Sequence, residues 1–271
     1  MSMIRSVAAL SLLLFGLTLS PWSISAASAT YCGDDVGGRR VACGCGDTVV
    51  SDTTLHADDP VVTGRCPLDG LILRASPFAD SIRLDLAGLT VSGAPYGVGI
   101  LVLAGGASGA IITGGDEQKA TILGFGTGVL SERVGALLRV EGLEIRGVRG
   151  DGIRIRGRGV FLVDVEAAYN SGDGIRLSGT GGRLVRTATH DNGGNGLRLF
   201  VDGAAVEAVT FHNTKDGAVV RGRRNDLSGL RARDNAGTGL VLQGRDNMTQ
   251  GLVSELNGAA DVLSVSGGGA R

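Results

Sequence analysis

Through the second half of the chain, pairs of apolar residues two positions apart follow a glycine: Ile153 and Ile155, Ile175 and Leu177, Leu197 and Leu199, Leu240 and Leu242. Alternation by two predicts short strands with one face buried. Four residues before the glycine stands an asparagine, and the asparagines Asn170, Asn192, Asn213, Asn235 and Asn257 recur every 21 or 22 residues. Small or apolar residues also recur eight, five and three positions ahead of each Asn: Leu162, Val165, Ala167; Leu184, Thr187, Thr189; Ala205, Ala208, Thr210; Leu227, Leu230, Ala232. The glycines Gly99, Gly128, Gly152, Gly174, Gly196, Gly217 and Gly239 follow intervals of 29, 24, 22, 22, 21 and 22, so the period becomes regular from Gly152 onward. Two or three short strands in a period near 22 predict one coil of a parallel β-solenoid. The L-x-x-L-x-L framework and helical half of a leucine-rich repeat are missing. Antiparallel sandwiches do not repeat by sequence at this period.

Stacking explains the asparagines. In register they would lie about 4.8 Å apart at an inward bend, and their amides would hydrogen-bond along the axis. The Asn column is therefore read as structural. The glycine after it is expected to supply either a positive φ or a close approach of backbone at the corner.

Composition agrees with many short strands: 47 residues are Gly and only 4% are aromatic. Residues 1–29 stand apart, with Arg5 near the start, an apolar run from Val7 to Leu19 and "ASA" at 27–29, the pattern of a secretory signal peptide. That run is too short to span a bilayer as a helix, and no later segment is long and apolar enough. The chain is therefore expected to be secreted, periplasmic or at a cell surface, with no membrane span once the leader is removed. Beyond the leader 25 basic residues face 27 acidic ones, net −2, which argues against nucleic acid as a partner. The balance is uneven: residues 30–130 hold 6 basic and 11 acidic side chains, and 131–271 hold 19 and 16, so only the second half can present a basic strip. All four cysteines, Cys32, Cys43, Cys45 and Cys66, cluster directly behind the leader. In an exported chain an even, clustered set reads as disulfides ahead of a metal site, and four cysteines allow three connectivities.

The segments "CGDTVV", "DTTL" and "CPLDGLIL" between Cys45 and Leu73, with "LDLAGLTVSG" from Leu84 and "ILGFGTGV" from Ile122, resemble the opening coils of secreted bacterial right-handed parallel β-helix repeat proteins of the pectin-lyase-like superfamily. The resemblance covers most of the chain past the leader. It implies an all-β, right-handed parallel β-helix of roughly ten coils of about 22 residues: 30–70 a disulfide-containing N-terminal cap and first coil, 71–271 the helix itself. It further implies that Cys45 pairs with Cys66 and Cys32 with Cys43. It does not fix a chemistry, because that superfamily includes lyases, hydrolases, epimerases and proteins with no known activity.

Outward positions read as columns along the axis. Two residues past the glycine lie Arg154, Arg176 and Arg198, then Val219 and Val241; just before the glycine lie Asp151, Asp173, Asn195 and Asp216; just before each Asn lie Tyr169, Asp191, His212 and Asp234. Arg154, Arg176 and Arg198 with Asp151, Asp173, Asp216 and Tyr169 are the candidate ligand-binding residues. Arginines would neutralise a uronic-acid carboxylate, and His212 with Asp191 or Asp234 would act on the adjacent proton, so His212, Asp191, Asp234 and Arg176 are the candidate catalytic residues. A solvated surface ladder produced by repeat duplication accounts for the same columns. No paired-Asp motif of the polygalacturonase type, no D-P-H element and no Asp-rich calcium cradle is present, and His56, His190 and His212 are too scattered for zinc. The expected function is therefore a non-catalytic surface or carbohydrate-binding protein with polysaccharide as its partner and no cofactor. The rival is a polysaccharide lyase or related enzyme acting on an anionic polysaccharide, with calcium entering only for a lyase. Association through the C-terminal coil is a further expectation, since "SVSGGGAR" offers no polar or helical cap to the last strand edge.

Overall fold

The computed structural model describes residues 30–74, 81–103, 109–116, 118–135 and 137–265; the leader at 1–29 and the last six residues lie outside them. The chain winds into a parallel β-solenoid of about nine turns whose strands pair only with the coil before and the coil after. One face carries Asp47–Val49, Leu71–Leu73, Val98–Val102 and Thr127–Val134, then the first parts of Ile153–Val163, Ile175–His190 and Leu197–Phe211, and finally Ala218–Arg221, Leu240–Gln243 and Val262–Val265. A second face begins at Thr53–Thr54 and Ser81–Asp85, and a third at Arg65–Cys66 and Thr90–Gly93. Ile175–His190 and Leu197–Phe211 run through two corners and contribute to all three faces.

Alternation gives the core. On the first face Leu71, Ile100, Val129, Ile153, Ile175, Leu197, Ala218 and Leu240 form one inward column in register, all fully buried. Along this column successive rungs are 29, 29, 24, 22, 22, 21 and 22 residues apart. The longer early turns explain why the described chain makes about nine coils where a uniform period predicts ten.

The ladder predicted from the asparagines is present. Asn192 Nδ2 donates to Asn213 Oδ1 at 3.0 Å, Asn213 Nδ2 to Asn235 Oδ1 at 2.9 Å and Asn235 Nδ2 to Asn257 Oδ1 at 3.0 Å. Each Oδ1 also accepts the backbone N–H of the preceding Asn, from 3.1 to 3.2 Å. A second, shorter ladder, Asn225 to Asn247 at 3.1 Å, stands at another corner and was not visible in the repeat.

The corner glycines resolve the alternative left open for them. None of Gly152, Gly174, Gly196, Gly217 and Gly239 has a positive φ. What each requires is space: a Cβ on Gly196 would lie 2.6 Å from the Gly217 carbonyl oxygen and 2.8 Å from Asn213 Nδ2, and Gly152, Gly174 and Gly217 stand the same way against the coil that follows. The left-handed conformation falls instead on the residue before each Asn: Tyr169 (φ 56°), Asp191 (53°), His212 (52°), Asp234 (53°) and Leu256 (57°). Asp and His enter that region more readily than most side chains.

One buried position is corrected. Counting eight back from Asn213 gives Ala205, which is exposed, while Val206 takes the inward place. The coil is one residue shorter there, and pairing jumps from Leu184↔Val206 to Thr187↔Ala208. At the N-terminal end Cys32 is bonded to Cys43 and Cys45 to Cys66, the pairing implied by the resemblance. Tyr31–Cys32 lies over Thr48–Val49, and buried Asp59 accepts from Arg40 at 2.7 Å and from the backbone N–H groups of Cys43 and His56.

Candidate ligand-binding face

The outward column of the first face changes character along the axis. It reads Ile72, Leu101 and Leu130, then Arg154, Arg176 and Arg198, then Val219, Val241 and Leu263, each in register with the next. The next outward column, two residues further along each strand, reads Arg156, Ser178, Phe200, Arg221 and Gln243. Together they place Arg154, Arg156, Arg176, Arg198 and Arg221 on one face around Phe200. The Arg198 guanidinium lies 5.5 Å and that of Arg221 5.3 Å from the Phe200 ring centre, each within cation–π range.

Adjacent rungs stand about 4.8 Å apart. Like charges at such spacing repel by about 1 kcal/mol per pair even in water. The acids nearby offset this weakly: Arg154 Nε is 3.9 Å from Glu132, Arg176 4.0 Å from Asp151 and Arg198 3.4 Å from Asp173. Arg198 Nε is shielded from solvent and has no hydrogen-bond partner among the described residues. Each arginine of the column thus has one acid within 4.0 Å, while Arg156 and Arg221 form no ion pair among the described residues, so the surplus positive charge of the face sits on those two. A cleft of ≈ 80 Å³ runs between Glu132, Arg154, Arg156, Arg176, Ser178 and Phe200.

The acidic column beside it has structural partners. Asp151 Oδ1 accepts the backbone N–H of Asp173 at 2.9 Å, Asp173 Oδ1 that of Asn195 at 2.9 Å, and Asp216 Oδ1 that of Thr238 at 2.7 Å. Asn195 takes the same role toward the backbone of Asp216 at 3.2 Å. Asp173 is only 5% exposed. These carboxylates cap the coils, and Asp151 and Asp173 reach Arg176 and Arg198 with their remaining oxygen.

His212, Asp191 and Asp234 do stack, at the left-handed corner ending the third face, whereas Arg176 belongs to the first face. His212 Nδ1 stands 3.8 Å from Asp191 Oδ1, beyond hydrogen-bond reach. His190, one residue earlier, holds the acids instead: its Nδ1 is 2.8 Å from Asp191 Oδ2 and its Nε2 3.2 Å from Glu166 Oε1. Its ring stacks on Phe211 at 4.6 Å, and the exposed Tyr169 meets it edge-on at 5.7 Å. Lys119 completes the row at 2.9 Å from Glu166. Burial works to raise the Glu166 carboxyl, but the bonds from Lys119 and His190 outweigh it and hold it below its ordinary value. Among the described residues no three His, Cys, Asp or Glu side chains converge as a metal-binding group.

Arg156, Arg221, Phe200 and Glu166 were not singled out in the sequence, and His190 was weighed there only as a zinc ligand. The first three could have been found by counting four residues past the corner glycine, where the strand again faces outward.

The profile of the family described as "Right handed beta helix region" matches residues 127–264, just over half of the chain. None of the curated proteins matches it in sequence. Among solved structures, the A-module of the mannuronan C-5 epimerase AlgE4 from Azotobacter vinelandii is similar, at 13% identity and a TM-score of 0.41 over 80% of this chain and 72% of that one. The A-module of AlgE6 from the same organism is similar at 14% identity and a TM-score of 0.36, over 80% and 71%.

Proposed function

Because the chain belongs to the right-handed β-helix family, we propose that it is an exported, non-catalytic binding protein that holds an anionic polysaccharide along the arginine face of its first sheet. The observation that carries this is the in-register column Arg154, Arg176 and Arg198, with Arg156, Arg221 and Phe200 beside it. With Glu132, Asp151 and Asp173 beside the column and Arg156 and Arg221 in no ion pair among the described residues, the face keeps a net positive charge that a ligand with anionic groups in series would match. Planar guanidinium groups suit carboxylate or sulfate oxygens. Two disulfides fit an extracellular protein, and the apolar leader supplies the route of export. The non-catalytic reading rests on the separation of the would-be base from its partner: His212 and Asp191 are not hydrogen-bonded, and Arg176 lies on another face.

The test combines affinity electrophoresis with an absorbance assay for unsaturated uronides, using polygalacturonate, alginate and heparin with and without calcium. The proposal expects retarded migration at low salt, relieved as salt screens the arginines, and no rise in absorbance. Product formation would replace it with the lyase reading; unretarded migration in every gel would remove polysaccharide binding altogether.

A further inference from the structure

We infer that the arginine face does not end at the edge of the first sheet but continues around the corner toward the second, into a glycine-floored hollow that seats a sugar ring of the same anionic polymer. This rests on the binding reading above and adds a second subsite to it. The corner is made by strands that pass through it without a break, Ile153–Val163 and Ile175–His190, in register as Arg156↔Ser178, Gly157↔Gly179 and Arg158↔Thr180. Gly179 takes a φ of 140°, and a Cβ there would fall on the Gly157 carbonyl, so this floor stays free of side chains. The hollow has a volume of ≈ 310 Å³ and is lined by Glu132, Arg156, Gly157, Arg158, Gly179 and Thr180. It shares Glu132 and Arg156 with the arginine cleft and is therefore continuous with it.

Its chemistry differs from that of the cleft in a way that selects a ligand. The cleft offers guanidinium groups from two successive coils and the Phe200 ring of the third. The hollow offers a bare backbone floor with exposed Arg156 and Arg158 at its rim. Glu132, which lines both, is engaged with Arg154 and not with these two. A ligand that is anionic at its substituents but has a flat C–H face fits both parts, and a pyranose uronic acid has that form. Its carboxylates meet the arginines while a ring lies on the glycine floor.

The consequence is a dependence on ligand length. An oligouronide of two residues engages the arginine cleft alone, and one of six residues also reaches the hollow. Titrations of the full protein with oligogalacturonides and oligomannuronides of both lengths, read from backbone amide shifts and affinity, test this. The wild type is expected to show shifts at Gly157, Gly179 and Thr180 with six residues and not with two. Arg158→Ala is expected to weaken six-residue binding about threefold, the size of an exposed ion pair, while leaving two-residue binding unchanged. Arg158 is exposed, and its loss should not affect folding. Wild-type binding with shifts confined to the first face, and Arg158→Ala indistinguishable from wild type, overturns the hollow and leaves the arginine face standing. Absence of binding by any of these oligomers overturns both.

Discussion

Replacing Asn213 with Ala removes one rung of a continuous amide ladder, and the cost follows from its bonds. Asn213 Nδ2 donates to the Thr189 carbonyl at 3.2 Å and to Asn235 Oδ1 at 2.9 Å, while its Oδ1 accepts from Asn192 N at 3.2 Å and from Asn192 Nδ2 at 3.0 Å. Four bonds at about 1 kcal/mol net each set the scale at about 4 kcal/mol. Asn192 and Asn235 are 0% and 2% exposed, so water cannot replace the lost partner. Asn213→Ala is therefore expected to lower stability by about 3–5 kcal/mol in urea unfolding with an unchanged slope. Asn257 ends the ladder in partly exposed surroundings, where solvent compensates, and Asn257→Ala should cost only about 1 kcal/mol. Asn213→Asp keeps the acceptor but sets a carboxylate against Asn235 Oδ1, and should be at least as damaging as Ala. A loss below about 1 kcal/mol for Asn213→Ala, or equal losses for Asn213 and Asn257, would refute the ladder as a source of stability.

Three further outcomes are expected. Gly196→Ala, whose Cβ would meet the Gly217 carbonyl oxygen and Thr189 Oγ1 at 2.6 Å each, should destabilise by well over the roughly 1 kcal/mol scale of an ordinary glycine substitution, read by the same unfolding assay. Thr210 Oγ1 is buried with no partner among the described residues, so Thr210→Val should raise stability by up to about 1 kcal/mol, visible as a higher melting temperature. Acid should weaken the fold in a defined window: bonds from Arg186 hold the Asp164 carboxyl below its ordinary 3.8, and Glu166 is held below 4.5. Carboxyls lowered in the folded state stabilise it above their unfolded values and lose that contribution as pH falls through the folded ones. Melting temperature should therefore drop below about pH 4.5, and Glu166→Gln should make the drop shallower.

What could be read in the sequence was whatever repeats by residue type. Asn170 to Asn257 and the corner glycines recur with one side chain at one spacing, because each does the same work in every coil, and they predicted both the solenoid and its register. Asn225 and Asn247 do equivalent work at another corner, but two members do not make a visible period. Ala205 was misplaced because a fixed count cannot register a one-residue deletion within a coil. The arginine column was legible as three successive copies of one residue, whereas Arg156 and Arg221 share a column in which Ser178 and Phe200 stand between them. Asp173 was legible by position but not in its role, since capping the next coil's N–H is a bond between segments 22 residues apart. His190 was hidden for the same reason: Glu166 reaches it from the preceding coil.

Calorimetric titration of polygalacturonate and of alginate into the wild type and the Arg154→Ala/Arg176→Ala/Arg198→Ala variant asks whether the arginine column is the binding surface. All three side chains point outward from the first sheet, so the variant should fold, with circular dichroism as the check. Saturable, salt-sensitive heat is expected for the wild type with at least one polymer, and its loss in the variant. Equal binding by both proteins, or none by the wild type at low salt, would contradict it.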